Sequence, residues 1–178
     1  NYQSAAVFTG LYASSYTVYV KDVTGCVKTG VVSVTQPTQL ANTLTPLAAT
    51  CFGSSTGTLT AVVSGGTPTY AFSLDGISYQ SGNVFNNLPA DTFLLRVKDV
   101  NNCMLATSII ITQPSQITAT VNTTNATCTT SNGSIMAMAT GGSGSGYQYS
   151  LDGSTFSSTG LFTNLAAGNY FIVLRDAN

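Results

Sequence analysis

The chain has 178 residues, of which 6% are charged and 43% hydrophobic, a composition typical of a β-rich extracellular protein. The net charge of −1 and the lack of any basic run argue against a nucleic acid or an anionic membrane surface as the partner. No apolar run approaches the roughly 18 residues of a membrane-spanning helix, so no membrane insertion is predicted for this segment. The first residues lack the pattern of a signal peptide.

The sequence repeats with a period of 77 residues. Phe8, Phe85 and Phe162 lie at this spacing, and so do Cys26 and Cys103. Such a period predicts a tandem array of small domains, cut from a longer repetitive chain. An export signal or anchor is expected outside the sequence. The period divides the chain into three segments: the C-terminal half of one repeat (1–37), a complete repeat (38–114) and a third, truncated repeat (115–178).

The complete repeat alternates short apolar segments with turn residues. A first strand is predicted near residues 40–47, and a second alternates Leu59, Ala61 and Val63 on one face. Further apolar segments continue to the end of the repeat, giving about seven strands and no helical periodicity. This pattern predicts an all-β fold of tandem immunoglobulin-like antiparallel β-sandwich repeats.

Two local signals refine this prediction. The dipeptide Asp75-Gly76, repeated as Asp152-Gly153, predicts a two-residue hairpin turn with positive φ at both central positions. The spacing from Leu165 to Tyr170 resembles the corner of immunoglobulin-like domains in which a tyrosine hydroxyl bonds to upstream backbone. Phe93 occupies the equivalent position of the complete repeat, so that hydrogen bond cannot form there.

Four motifs occur together in the complete repeat. They are Gly-Gly-x-Pro-x-Tyr-x-x-Ser-Leu-Asp-Gly (65–76), Leu-Pro-Ala-x-x-Phe (88–93), Val-Lys-Asp-Val-Asn-Asn-Cys (97–103) and Thr-Gln-Pro (112–114). Their combination resembles the SprB repeat, a module of giant surface adhesins of gliding Bacteroidota, over essentially the whole chain. The resemblance implies export through the outer membrane by the type IX secretion system, an extracellular location at the cell surface, and a role in adhesion or gliding motility. The chain departs from the family pattern at Asp91, where the third repeat keeps Gly168.

Three classes of function are open to such a chain. The first is a spacer or adhesive module of a long surface fibre, whose partners are neighbouring repeats of the same chain and, beyond them, surface polysaccharide or other chains of a filament. The second is a carbohydrate-binding module, and the third is the non-catalytic stalk of a secreted enzyme. The first is favoured because tandem repetition supplies reach and multivalency.

The chemical inventory argues against an enzyme. The chain has no His, Trp or Glu, and no nucleophile motif, phosphate-binding loop or zinc-ligand spacing. Five of its six acidic residues recur at equivalent turn positions, where an aspartate caps backbone amides. We therefore predict no catalytic, cofactor-binding or metal residues, and structural turn roles for Asp22, Asp99 and Asp176 in one set and Asp75 and Asp152 in another.

Calcium is the one ligand for which the turns offer suitable ligand atoms. The turn that starts at Asp99 offers several oxygens, and hard cations take oxygen ligands. Each turn nevertheless has a single carboxylate next to a basic residue, which favours turn capping with weak pairing between the neighbouring charges.

Four cysteines in an exported β-repeat chain predict disulfides. The preferred pair is Cys51 with Cys103, which lies within one repeat and needs no partner beyond it. In standard immunoglobulin strand order these two residues fall at opposite ends of the sandwich. A bridge from Cys103 back to a cysteine of the preceding repeat therefore stays open as the alternative.

Two surface features complete the predictions. Asp91-Thr92-Phe93 resembles the short motif that Bacteroidota O-glycosylate, which marks Thr92 as a candidate for modification. Several tyrosines (Tyr12, Tyr19, Tyr79 and Tyr147) could present aromatic faces to sugars, but tyrosine on sandwich strands is more often packed. No ligand site is assigned to them.

Overall fold

The computed structural model describes residues 2–178, which form β-strands joined by loops and turns. This part of the chain contains no helix long and apolar enough to cross a membrane. Thirteen strands are present in it: β1 (Ser14–Lys21), β2 (Val27–Val34), β3 (Ala41–Leu47), β4 (Gly57–Ser64), β5 (Ala71–Ser73), β6 (Val84–Leu88), β7 (Asp91–Lys98), β8 (Met104–Ile111), β9 (Ser115–Thr124), β10 (Gly133–Gly142), β11 (Gln148–Ser150), β12 (Leu161–Leu165) and β13 (Val173–Arg175).

The middle repeat is built from two antiparallel three-stranded sheets with strand orders β3-β4-β6 and β5-β7-β8. The predicted all-β class is confirmed, and the first strand lies where the sequence predicted it. The repeat has six strands rather than about seven. The segment around Tyr79 does not form a strand of its own, because it pairs only through a single bridge between Phe72 and Gln80.

Alternation of side chains places the core between the two sheets. On β4, Leu59 and Ala61 face inward, whereas Val62, the residue after Ala61, points outward and is exposed. Leu59 packs with Leu88 and Ile111 in one cluster. Ala61 joins a second cluster with three inward-facing residues of the opposite sheet: Phe72, Leu95 and Val97.

The flanking repeats use the same elements. Strands β1 and β2 lie one period before β7 and β8 and pair with each other in the same way. In the third repeat, β9-β10-β12 forms the equivalent of β3-β4-β6, and β11 pairs with β13 as β5 does with β7. The tandem repetition seen in the sequence is therefore a repetition of structure.

The period is not uniform along β10. Ile135 and Ala137 are buried as Leu59 and Ala61 are, but each lies 76 residues after its counterpart. One residue is lost in the loop after Cys128, and one is gained in the glycine-rich turn that follows β10. The two changes offset each other because a shift by one residue along the strand would turn the core side chains outward.

The Asp-Gly turns differ from the prediction of a two-residue hairpin. Gly76 and Gly153 have positive φ, at 77° and 73°, but the aspartate before each does not. Phe72 and Gln80 are the residues that pair across this turn, so seven residues lie between them. The physical reason is that the Asp75 carboxylate accepts amide hydrogen bonds within the turn, which stabilises a longer connection.

The hydrogen bond predicted for the Tyr170 hydroxyl is present, and Tyr16 of the first repeat forms the same type of bond. The Tyr16 hydroxyl donates to the carbonyl oxygen of Tyr12 at 2.9 Å, and the Tyr170 hydroxyl donates to that of Ala166, also at 2.9 Å. Phe93 lies at this position in the middle repeat and packs against the core without a hydroxyl.

We expect Phe93→Tyr to stabilise the middle repeat by about 0.5–1.5 kcal/mol, because the new hydroxyl would reach the carbonyl oxygen of Pro89. Urea unfolding of both proteins measures the difference. Tyr170→Phe is the matched control and should lose a similar amount from the third repeat. If Phe93→Tyr did not raise stability while Tyr170→Phe lowered it as expected, the backbone near Asp91 would differ from that of the corner in the third repeat.

Candidate functional site

An apolar cavity lies on one face of the β1–β2 sheet, lined by residues that include Leu11, Tyr16 and Val18. One period later, the equivalents of Leu11 and Val18 are Leu88 and Leu95, and both are buried in the core of the middle repeat. The cavity is thus the face that a second sheet covers in a complete sandwich. We assign no ligand to it.

Asp99 holds the turn between β7 and β8 through both carboxylate oxygens. Its Oδ1 accepts hydrogen bonds from the N–H groups of Asn101 and Cys103 at 2.9 and 2.8 Å, and its Oδ2 accepts one from Thr67 at 2.9 Å. The side chain is only 3% exposed and lies against Gly66, where an added Cβ would come within 2.9 Å of Oδ2. These bonds, that from Thr67 foremost, lower the pKa of Asp99. Asp99 therefore ties two loops together at one end of the sandwich.

The equivalent aspartates of the flanking repeats are bonded in related ways. Asp22 Oδ1 accepts hydrogen bonds from the hydroxyl and the N–H of Thr24 and from the N–H of Cys26. Asp176 Oδ2 accepts a hydrogen bond from the N–H of Ser143 at 2.6 Å, as Asp99 does from Thr67. The Thr24 hydroxyl is the main cause of the lowered pKa of Asp22, and the Ser143 amide that of Asp176.

The second set of turns pairs an aspartate with a fully buried serine. Ser73 Oγ donates to Asp75 Oδ1 at 2.7 Å, and Ser150 Oγ donates to Asp152 Oδ1 at 2.7 Å. Backbone amides complete each turn, that of Ile77 being the main one at Asp75. They hold the pKa of both carboxyls well below its usual range. No turn role was predicted for the two serines, although Ser73 lies within one of the quoted motifs and Ser150 follows it by 77 residues.

The basic residues that directly precede the aspartates of the first set stack on aromatic rings. Lys98 Nζ lies 4.2 Å from the centre of the Tyr79 ring, and the Arg175 guanidinium lies 3.9 Å from that of Phe156. Lys21 and Tyr2 form the looser equivalent, at 5.9 Å. Each pair recurs after one period, so the aromatic partner fixes the basic side chain across the repeats. The sequence prediction paired these basic residues with the aspartates and missed their rings.

The arrangement of the carboxylates is that of turn construction. Their oxygens face N–H and O–H donors, and residues 2–178 contain no group of three or more His, Cys, Asp or Glu side chains able to hold a metal ion. A cation would have to displace the amides that the carboxylates already accept. The geometry therefore favours capping over calcium binding.

Consecutive repeats meet at a junction formed by two loops. The β3–β4 loop of the middle repeat carries Cys51 and Phe52, which line a cleft together with Gly142 and Asp176 of the third repeat. The Asn178 side-chain amide donates to the carbonyl oxygen of Thr50 across this junction at 2.8 Å. No local pattern in the sequence predicted this contact, because its residues are far apart in the chain.

The predicted disulfide between Cys51 and Cys103 is not formed, and the separation of the two residues excludes it. Cys51 lies in a loop next to the C-terminal end of β8, where the Ala49 N–H donates to the carbonyl oxygen of Thr112. Cys103 directly precedes the other end of β8. A strand of eight residues spans about 26 Å, whereas bridged Cα atoms lie within about 7 Å. All four cysteines are exposed thiols in the structure.

The remaining surface predictions fall on separate elements. Thr92 is exposed on β7, with its N–H bonded to the Asp91 carboxylate at 2.7 Å. Tyr12 and Tyr19 are exposed, but one period later their positions are Pro89 and Arg96. Tyr147 donates its hydroxyl to the carbonyl oxygen of Gly141, and Tyr79 is covered by Lys98. The structure does not gather these tyrosines into one aromatic site.

The fold and its capped turns define a tandem β-sandwich repeat protein. The family model of the SprB repeat matches the chain at two places, residues 43–78 and 120–156, which lie one period apart. Two stretches of the chain therefore match the SprB repeat, as the resemblance read from its motifs predicted. No curated protein matches the chain.

Proposed function

We propose that this chain is a non-enzymatic segment of a long bacterial cell-surface adhesin, exported through the outer membrane, that acts in adhesion and gliding motility as a spacer and multivalent surface. SprB repeats are non-catalytic modules typical of cell-surface and extracellular proteins. The observation that carries the proposal is the junction between repeats. Asn178 forms a hydrogen bond to Thr50 across this junction, so successive sandwiches are in direct contact and are not connected by a flexible linker alone.

The junction gives the repeats a mechanical role. Gln113, at the end of the middle repeat, accepts a hydrogen bond from the N–H of Gly53 in the junction loop at 2.7 Å. The connecting segment is therefore bonded to the domain it leaves, and β9 begins at Ser115 with almost no intervening chain. Short, anchored connections limit bending and extend the array away from the cell.

In-frame removal of residues 38–114 and their equivalents from the gene, in the bacterium that produces the protein, tests this role. We expect a shortened protein that still reaches the surface, as judged by protease treatment of intact cells, with adhesion and gliding that fall as repeats are removed. A variant with one extra repeat serves as the length control. Unchanged adhesion and gliding after removal of all repeats would contradict the proposal.

A carbohydrate-binding module is the less favoured function because the exposed Tyr12 and Tyr19 do not recur at equivalent positions. The stalk of a secreted enzyme shares the same repeat structure and differs in what the longer chain attaches to it. Binding of the purified chain to surface polysaccharide, with Tyr12→Ala and Tyr19→Ala as variants, separates the first alternative from a spacer role.

Thr92 is proposed as an O-glycosylation site. Its exposed position on β7 leaves the hydroxyl accessible to a transferase. Protein secreted by the native bacterium should carry hexose increments that Thr92→Ala removes, whereas Thr107→Ala on β8 should leave them in place. Mass spectrometry of the intact proteins and of their peptides measures both, and an unmodified Thr92 peptide would reject the site.

A further inference from the structure

The loop that carries Cys51 is held in one conformation at the junction. The Cys51 N–H donates to Ser54 Oγ at 3.2 Å, and the Ser54 hydroxyl donates back to the Cys51 carbonyl oxygen at 2.8 Å. A third hydrogen bond, from the Thr50 N–H to Thr56 Oγ1 at 2.8 Å, closes the base of the loop. The thiol is exposed and lies in the cleft lined by the next repeat.

The part of the next repeat that faces this loop is its β7–β8 type of turn. Asp176, the equivalent of Asp99, lines the same cleft as Cys51. Asn178, two residues further on, bonds to the residue that precedes Cys51. The end of the third repeat that carries this turn is therefore directed at the middle repeat.

In the β1–β2 turn and the β7–β8 turn, a cysteine lies directly beside the aspartate. Cys103 N–H donates to Asp99 Oδ1 at 2.8 Å while the Asp99 N–H donates to the Cys103 carbonyl oxygen at 3.1 Å. Asp22 and Cys26 form the same reciprocal pair, at 2.8 and 3.0 Å. For the third repeat, the 77-residue period predicts the corresponding cysteine at position 180, four residues after Asp176 and therefore beside the cleft that Cys51 lines.

We propose that adjacent repeats are joined by a disulfide between the β3–β4 loop cysteine of one repeat and the β7–β8 turn cysteine of the repeat that follows. With this pairing, Cys51 bonds forward to the turn cysteine that the period predicts at position 180, and Cys103 bonds back to the loop cysteine of the preceding repeat. Every cysteine of the array then has a partner in a neighbouring repeat. No two of the four cysteines in this sequence are partners of each other, which agrees with the separation of Cys51 from Cys103.

The bond forms by thiol–disulfide exchange with an oxidised protein dithiol, the class of oxidant present in export compartments. One thiolate attacks the oxidant's disulfide to give a mixed disulfide, and the second thiolate displaces the oxidant as a dithiol. The two cysteine thiols lose two protons and two electrons, and the oxidant gains them. The resulting bond fixes the angle between repeats, whether or not the array acts in adhesion.

The test extends the 178-residue chain by ten residues that copy Asn102–Ile111, which puts a cysteine at position 180 and restores the strand after it. After oxidation with glutathione disulfide, digestion with pepsin at low pH and mass spectrometry of unreduced peptides should show the Cys51 peptide linked to that of position 180. Cys51→Ser should abolish the link, and Cys128→Ser should leave it intact. Thermal unfolding followed by circular dichroism checks that the extended chain and its variants are folded.

A folded extended chain with Cys51 as a free thiol, or with Cys51 linked to Cys103, would overturn the proposal. The same peptide analysis of the protein secreted by the native bacterium is the second measurement, and it decides the matter if the extended chain does not fold. There the expected product is a ladder of loop-to-turn links, each between one repeat and the next. Links within single repeats, or free cysteines throughout, would refute it.

Discussion

Replacing Leu59 by alanine is expected to destabilise the middle repeat by about 2–5 kcal/mol. The side chain is 0% exposed and packs against Leu88 and Ile111, so its removal leaves a cavity that the two sheets cannot easily close. A repeat of 77 residues has a total stability of about 4–12 kcal/mol. The substitution therefore removes a large fraction of what holds the sandwich together.

Urea unfolding of the whole chain measures this loss. Val62→Ala is the matched control, because Val62 lies on the same strand with 62% of its side chain exposed, and it should change stability by less than about 0.5 kcal/mol. Equal losses from the two substitutions would mean that Leu59 does not face the core. A folded Leu59→Ala protein would also show whether the repeats unfold together or separately.

Gly65→Ala is expected to cost about 2–5 kcal/mol, from a left-handed backbone conformation and a steric clash together. Gly65 has a φ of 75°, and an added Cβ would lie 2.0 Å from the carbonyl oxygen of Gln39. The close approach of Gln39 to Gly65 joins the start of the repeat to the loop after β4. In that loop, Tyr70 donates its hydroxyl hydrogen to the Gly65 carbonyl oxygen. The backbone would have to move, and this would disturb the nearby hydrogen bond from the Thr67 N–H to the Asp99 carboxylate.

Gly53→Ala separates the two causes. Gly53 has nearly the same φ, 73°, but nothing lies within 4 Å of its added Cβ. Its substitution should cost only the conformational part, about 1–2 kcal/mol. Thermal or urea unfolding of both variants gives the difference, which is the steric contribution at Gly65. Equal effects of the two substitutions would show that the approach of Gln39 to Gly65 is not tight.

The aspartate turns predict how stability depends on pH. Hydrogen bonds lower the folded-state pKa of Asp22, Asp75, Asp99, Asp152 and Asp176 below the unfolded value. Their contribution to stability is therefore present in full above about pH 4 and is lost as the pH falls further, because the unfolded state then binds more protons.

Melting temperatures measured from pH 7 to pH 2 should stay nearly level at first and then fall below about pH 4. The Asp75→Asn variant, which cannot ionise at that position, should lose less of its stability over the acid range than the parent chain. A parent melting temperature that rises towards pH 2 would contradict the direction of these pKa shifts.

Local sequence signals identified the turns and the corners. The spacing of Leu165 and Tyr170 predicted the corner because the hydroxyl and its carbonyl partner are only four residues apart. Asp99 was placed in a turn for the same reason, since two of the amides it caps belong to its own turn. The third amide, from Thr67, comes from another loop and has no local signature.

The sequence by itself determined the 77-residue period, the all-β class and the match to the SprB repeat, because these follow from side-chain alternation and from motifs that recur along the chain. Only the tertiary structure decided how the cysteines are disposed. The period fixes where Cys51 and Cys103 fall within a repeat, but the length of β8 keeps them apart in space. The packing of one sandwich on the next brings Cys51 close to Asp176. Distance between elements is set by how sheets stack, and no spacing along a single chain encodes it.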